Sequence, residues 1–431
     1  MALNRARALH GAALAHRAWF ALGARHSGGD IYRESGIWWT LPASGALTAT
    51  LAFPWLRPGA GGAALDAILR GIRAQGRVRG ASCWTLRPEH RTELGVLLVA
   101  RGFEVGWQAH WMARDLSAPY ALRRTPTGLE IAQVEDVRTW DHREDAHPDG
   151  PEWRRTARVN QELVALRPQQ VWEFGAFLDG EAVGGTTLFV PPELPGVALL
   201  NDVGVAPEQR RRGIGSAITD VACSHARALG CRMVVLNATP DGERLYPHVG
   251  FVSLSRGQTW WMHRPALETP PTPDQVRFTE ALARGDLPAL ESLPDDPDLD
   301  APLPSGSTPL QVAATFGQSD AAGWLLDRGA RFDVLAGWDL GWRERVAEQL
   351  RRSTEGISAV APRSGATLLH EAVLRNDLAL LRTLLAAGAD PTVQDSTHHA
   401  TPLGWARFMG RADLVELLER AEWDHRRDER E

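Results

Sequence analysis

The sequence predicts an α/β fold, a mixed sheet with flanking helices, present twice in tandem and followed by an all-α repeat solenoid. Three observations predict it. Strand and helix patterns alternate through residues 126–266, a reduced version of the same order fills residues 1–120, and a short Thr-headed motif recurs through residues 275–431. Two Pro-containing joints, Ser117–Thr127 and Glu268–Asp274, separate these blocks, because proline limits helix and strand continuation.

In the middle block, VWEFGAFL (171–178) and AVGGTTLFV (182–190) are apolar strands joined by a DGE turn, and VALLNDVGV (197–205) is a third. A helix starting at Ile214 follows, with Ile218, Val221, Ala222 and Leu229 on one face and Gly230 as its C-terminal cap. A short strand over Met233–Leu236, a brief helix around Leu245 and a last strand near Gln258–Met262 complete the block. The first block repeats the order: strand 46–53, helix 64–72, strand 82–86, helix 93–103 and strand 107–116. VARGFEVGWQAHWM (99–112) and PHVGFVSLSRGQTWWM (247–262) share a Gly-Phe pair followed by a strand ending in Trp-Met, which points to an internal duplication.

Composition narrows the chemistry. At 431 residues the chain is long enough for two to four domains, and its 44% hydrophobic and 23% charged residues are those of a compact soluble protein. The net charge of -6 supplies no global attraction to nucleic acid or to an anionic membrane, and no apolar run is long enough for a spanning helix, so neither partner is expected. All 47 basic residues are arginine, which removes Schiff-base chemistry and a Walker-type loop. Cys83, Cys223 and Cys231 cannot form a disulfide framework or a paired zinc site, and the fourteen histidines are scattered, so no metal and a reducing cytoplasm are expected.

The strongest chemical signal is VGVAPEQRRRGIGSAI (203–218), a strand running through Pro207 into an Arg- and Gly-rich turn and then a helix. Amides at a helix N-terminus point outward unpaired, the helix dipole favours an anion there, and glycine allows close approach, so the segment suits a phosphate. A dinucleotide fingerprint fits less well, because Ile218 stands where a third Gly or Ala belongs.

VGVAPEQRRRGIG resembles the acyl-CoA motif of the GNAT superfamily of N-acyltransferases, with Val203, Val205, Pro207, Arg210, Gly213 and Gly215 at the matching places. LNATPDGERLYPHVGF (236–251) looks like that family's second signature, an Asn after a strand and a Tyr before Gly-Phe. The resemblance covers about residues 127–265. It implies that the amides of Arg211, Arg212, Gly213, Ile214, Gly215 and Ser216 bind the pyrophosphate of acetyl-CoA, that the main chain of Val203 and Val205 pairs with its pantetheine arm, and that Asn237 hydrogen-bonds that arm. It further implies that Tyr246 is the acid that protonates the departing thiolate. Members of that family differ in the general base and some use ordered water; the candidates here are Asp202 and Glu173, both on strands expected to line the acceptor cleft, although strand alternation could equally turn either one outward. The first block keeps glycines at RPGAGGAAL (57–65) but lacks the P-x-x-R pattern, so it is expected to be a degenerate half that binds no coenzyme A.

In the third block, TPLQVA (308–313), TLLHEA (367–372) and TPLGWA (401–406), with WLLDRGARFDV (324–334) and LLAAGADPTVQD (384–395) between them, resemble ankyrin repeats. The 59-residue interval from Thr308 to Thr367 implies one irregular member near Trp338–Leu350, and FTEALARGDLPAL (278–290) adds a degenerate opening repeat, for about five in all. The resemblances together imply transfer of an acetyl group to an amine of an unknown acceptor, with the repeats recruiting a protein partner. The alternative is a non-catalytic adaptor or acyl-CoA sensor working through the repeats.

Overall fold

The structure is a computed structural model that describes residues 3–56, 59–75, 77–87, 92–117, 125–135, 158–240, 242–293, 297–352 and 365–428. Most of the first joint, residues 118–124, lies outside them. Two compact units divide the chain, Met1–Val276 with Pro304–Gly306, and Arg277–Leu303 with Ser307–Glu431.

The first unit opens with helix α1 (Arg5–His26), whose Asn4 side chain caps it by accepting from the Arg7 amide. Strands β1 (Asp30–Glu34) and β2 (Ile37–Leu41) follow as a hairpin that was not among the expected elements. Its turn, Ser35-Gly36, has positive φ at both residues, the geometry that matches strand twist in a two-residue loop. Then come β3 (Ala49–Ala52), α2 (Gly61–Gln75), β4 (Gly80–Trp84), α3 (Glu93–Ala100), β5 (Glu104–Val105) and β6 (His110–Asp115). The later half runs β7 (Leu129–Val134), β8 (Val171–Leu178), β9 (Glu181–Phe189), β10 (Val197–Val205), α4 (Ile214–Ala228), β11 (Met233–Ala238), β12 (Val252–Arg256) and β13 (Thr259–His263). The DGE turn has Asp179 and Gly180 at positive φ between β8 and β9. Helix α4 buries Ile214, Ile218, Ala222 and Ala226, one position every turn. Leu229, expected on that face, is the residue after the last turn and faces solvent.

The strand order shows both the duplication and an exchange. One sheet reads β1-β2-β3-β4-β13-β5 and the other β12-β6-β11-β10-β9-β8-β7. Reversed and without β7, the second matches the first place for place, including the single parallel pair in each, β3 with β4 and β10 with β11. Parallel neighbours need a crossover connection, usually a helix, and α2 and α4 supply it. The strand next to each edge has changed sheets: β6 of the early half lies between β11 and β12, and β13 of the late half between β4 and β5. These two strands are the Trp-Met segments whose likeness marks the duplication in the sequence, Trp111-Met112 and Trp261-Met262.

Helix α1 packs on β10, β11, β6 and β12 and also on β1, β2 and β3. Its alanines, Ala8, Ala12, Ala15 and Ala18, let it lie close to Trp111, Val235 and Leu199 in one core. A second core on the opposite face of the larger sheet joins α4 to Met112, Trp172, Phe174, Leu200, Leu236, Tyr246 and Phe251.

In the second unit, five helix pairs are present among the described residues: Pro273–Arg284 with Leu287–Glu291, Pro309–Phe316 with Ser319–Asp327, Val334–Asp339 with Arg343–Arg352, Leu368–Leu374 with Leu378–Ala386, and Pro402–Phe408 with Ala412–Asp428. Thr308, Thr367 and Thr401 are the N-caps of their helices, which explains why the motif begins with threonine. His370 reaches from its own cap to the Ala400 carbonyl at 3.0 Å, tying one repeat to the next. The irregular pair starts at Asp333, which caps the Ala336 amide in place of a threonine.

Candidate active site

The larger sheet is split. β10 and β11 pair only from Val197↔Met233 to Leu199↔Val235, and beyond Leu199 no ladder joins them. β10 itself stays bonded to β9 on its other side, with a bulge between Asn201 and Gly204 that places Asp202 at φ 53. Its edge toward β11 therefore has no strand partner from Leu200 to Gly204, which leaves a gap where an extended ligand can add as a strand. In the smaller sheet, the equivalent strands β3 and β4 remain paired to Ala52↔Trp84, so no such gap opens.

At the end of β10 the chain turns through Pro207–Gln209 and the arginines into α4. Arg210 folds back to donate to the Val205 carbonyl at 3.1 Å, Arg212 donates to the Gln209 side chain, and Arg211 is exposed. Gly213 is the N-cap at φ 84, a left-handed conformation that a side chain would strain, and no side chain caps the helix there. The first amides of α4, at Ile214, Gly215 and Ser216, thus lack both intrahelical and side-chain acceptors, which is the arrangement that binds a phosphate. Gly215 has a further reason to be glycine: a Cβ there would lie 2.6 Å from Leu245 Cδ1. Its absence lets the segment before Tyr246 pack on the helix start. Val203 and Val205 pack against the α4 core and fix the end of the strand.

Tyr246 opens a short 3₁₀ turn and is 7% exposed, edge-on to Phe251 at 5.6 Å. Burial, reinforced by the charge of Asp202, raises its pKa above that of an ordinary phenol, so it holds its proton. Glu173, on β8, is 3% exposed and its Oε2 accepts from Thr187 Oγ1 at 2.7 Å on the neighbouring strand. Burial pushes the Glu173 carboxyl up to about 8, against the opposing bond from Thr187 and with help from Asp202. Asp202 is surface-exposed but set in crowded protein, which raises its pKa as well. Asp202 thus lies within electrostatic reach of both Tyr246 and Glu173.

Asn237, on β11 past the point of divergence, donates its amide to His16 Nε2 at 2.7 Å. The direction follows from the ring: His16 Nδ1 lies 2.9 Å from the Ala12 carbonyl, which can only accept, and burial lowers the His16 pKa to about 4, so the neutral ring offers a lone pair at Nε2. The Asn237 Oδ1 atom is left to accept from something else. Neither His16 nor Thr187 carries a sequence signal; each is 14 or more residues from the group it holds, and only the folded sheet joins them.

Residues 133–251 match the acetyltransferase (GNAT) family and residues 364–396 the ankyrin repeat. Mycothiol acetyltransferase of Geodermatophilus obscurus is 28% identical over 170 residues, a stretch that covers 35% of this chain and 53% of that protein. The chain thus spans about half the length of that relative. Among solved structures, a GCN5-related N-acetyltransferase from Kribbella flavida aligns at 19% identity with a TM-score of 0.44, over 57% of this chain and 95% of its own. A tandem GNAT protein from the clavulanic acid biosynthesis pathway aligns at 17% identity with a TM-score of 0.40, over 55% and 79%. Residues 133–251 thus carry the match to the acetyltransferase (GNAT) family and residues 364–396 the match to the ankyrin repeat, within one chain.

Proposed function

We propose that the protein is an N-acetyltransferase that moves an acetyl group from acetyl-CoA to an amine, with the ankyrin unit recruiting a protein partner. The observation that carries the reading is the gap between β10 and β11, which has a phosphate-suited helix start at one end and ionisable groups on both faces. The α4 amides take the pyrophosphate, the free edge of β10 pairs with the pantetheine arm, and Asn237 Oδ1 accepts from it. Glu173 shares a sheet face with Thr187 and with α1, whereas Tyr246 sits in the core on the α4 face. A thioester in the gap is then met by the amine from the side of Glu173. In this assignment Glu173 takes a proton from the attacking amine, a β10 amide near Val203 stabilises the oxyanion, and Tyr246 protonates the thiolate as it leaves.

The test is a panel of primary amines with acetyl-CoA, followed by thiol release. Wild type is expected to show amine-dependent release with at least one acceptor, and Tyr246→Phe to lower kcat by roughly 10² with little change in acetyl-CoA affinity. Release that no amine stimulates, from protein that binds acetyl-CoA, would overturn the transferase reading.

A further inference from the structure

A cavity of about 550 Å³ lies away from the gap, between α1, the β1–β2 hairpin and the loop after β9. That volume is in the range of small-molecule sites. Three guanidinium groups line it: Arg17 and Arg25 one side of α1 apart by two turns, and Arg33 from the hairpin. Among the described residues none of the three makes an ion pair. Arg17 forms the floor. Its Nε and Nη2 donate to the Ala52 carbonyl at 3.3 and 3.1 Å, Nη2 also reaches the Phe53 carbonyl at 3.2 Å, and the guanidinium lies 5.8 Å from the Trp38 ring and 5.6 Å from that of Phe53. These contacts fix Arg17 and leave Nη1 uncommitted.

We propose that this cavity binds a small organic anion, a carboxylate or phosphate carried on an apolar body. The electrostatic reason is like-charge crowding: burial and the nearby Arg33 charge both work against the Arg17 cation, yet arginine does not lose its proton, so the strain is relieved by a counter-ion. The planar guanidinium fork matches both kinds of oxyanion. Ile31 and Leu194 supply apolar wall for the ligand body. Two acidic residues also touch the cavity. Glu34 is engaged by the Trp39 indole, which donates to its Oε1 at 3.0 Å, and Glu193 comes from the loop after β9, so the arginines outnumber the carboxylates three to two.

The experiment is calorimetric titration of the full chain with phenyl phosphate, with benzoate and with the neutral analogue benzyl alcohol, all in saturating coenzyme A so that the α4 loop is occupied. Phenyl phosphate or benzoate is expected to bind at one site, the neutral analogue at least about tenfold more weakly, the scale of one lost charge-assisted hydrogen bond. Arg33→Gln, at an exposed position whose side chain makes no hydrogen bond or ion pair among the described residues, is expected to weaken anion binding by a similar factor at unchanged melting temperature. Phosphate binding without benzoate binding identifies a phosphate ligand, and the reverse a carboxylate. The proposal is overturned if neither anion binds, if benzyl alcohol binds as well as the anions, or if Arg33→Gln and Arg17→Gln, both folded, leave the affinity unchanged.

Discussion

Glu173 carries the sharpest consequence at the scale of single residues. Its carboxyl sits at about 8 where a free glutamate sits at 4.5, so at neutral pH most molecules hold it protonated. As a general base it must be ionised, and kcat/KM is expected to rise with pH through about 8, with Glu173→Gln losing roughly 10²-fold or more and the ionisation with it. Stability moves the other way. Between pH 4.5 and 8 the unfolded chain has released a proton that the folded one retains, so unfolding free energy falls as pH rises across that window, and Glu173→Gln should flatten the fall. A pH profile that is the same in both proteins removes Glu173 as the base. The positions proposed for the pyrophosphate, the pantetheine arm and the acid, namely the arginine loop, Asn237 and Tyr246, are read from sequence spacing alone, because spacing is a local feature. The partners of Asn237 and Glu173 are not legible there: His16 and Thr187 act through contacts that no spacing encodes.

The elements show the same division between local and non-local. Helix α4 and strands β8 to β11 follow from periodicity, glycine turns and caps, which are properties of adjacent residues. The exchange of β6 and β13 does not, since each would complete either sheet with the same alternation of apolar side chains. One side chain records the outcome. Arg114 of β6 lies buried against Asp220 of α4, Nη1 to Oδ1 at 2.7 Å, so the early half supplies a charge to the core of the late half. Arg114→Met leaves the Asp220 carboxylate buried without that partner and is expected to cost about 3–5 kcal/mol in denaturant unfolding, while adding Asp220→Leu recovers most of the loss. A single variant as stable as wild type would show that the pair does not anchor the exchanged strand.

For the whole molecule, exchange makes the first unit one folding body. Fragments 1–117 and 125–276 each lack the strand that belongs second from the edge of their own sheet, and an unpaired edge of that kind promotes aggregation. Expressed alone they are expected to be insoluble, and expressed together to form one complex; two separately soluble monomers would contradict the exchange. The sequence reads the two halves as successive blocks because the linear order is preserved, and only the pairing crosses it. One half opens its sheet toward an added strand, the proposed place of acetyl-CoA, and the other, closed to Ala52↔Trp84, does not. Calorimetric titration with acetyl-CoA measures this directly. One site per chain is expected, lost in a folded Gly213→Val variant; two sites per chain, or one that survives Gly213→Val unchanged, overturns the assignment of acetyl-CoA to the open half.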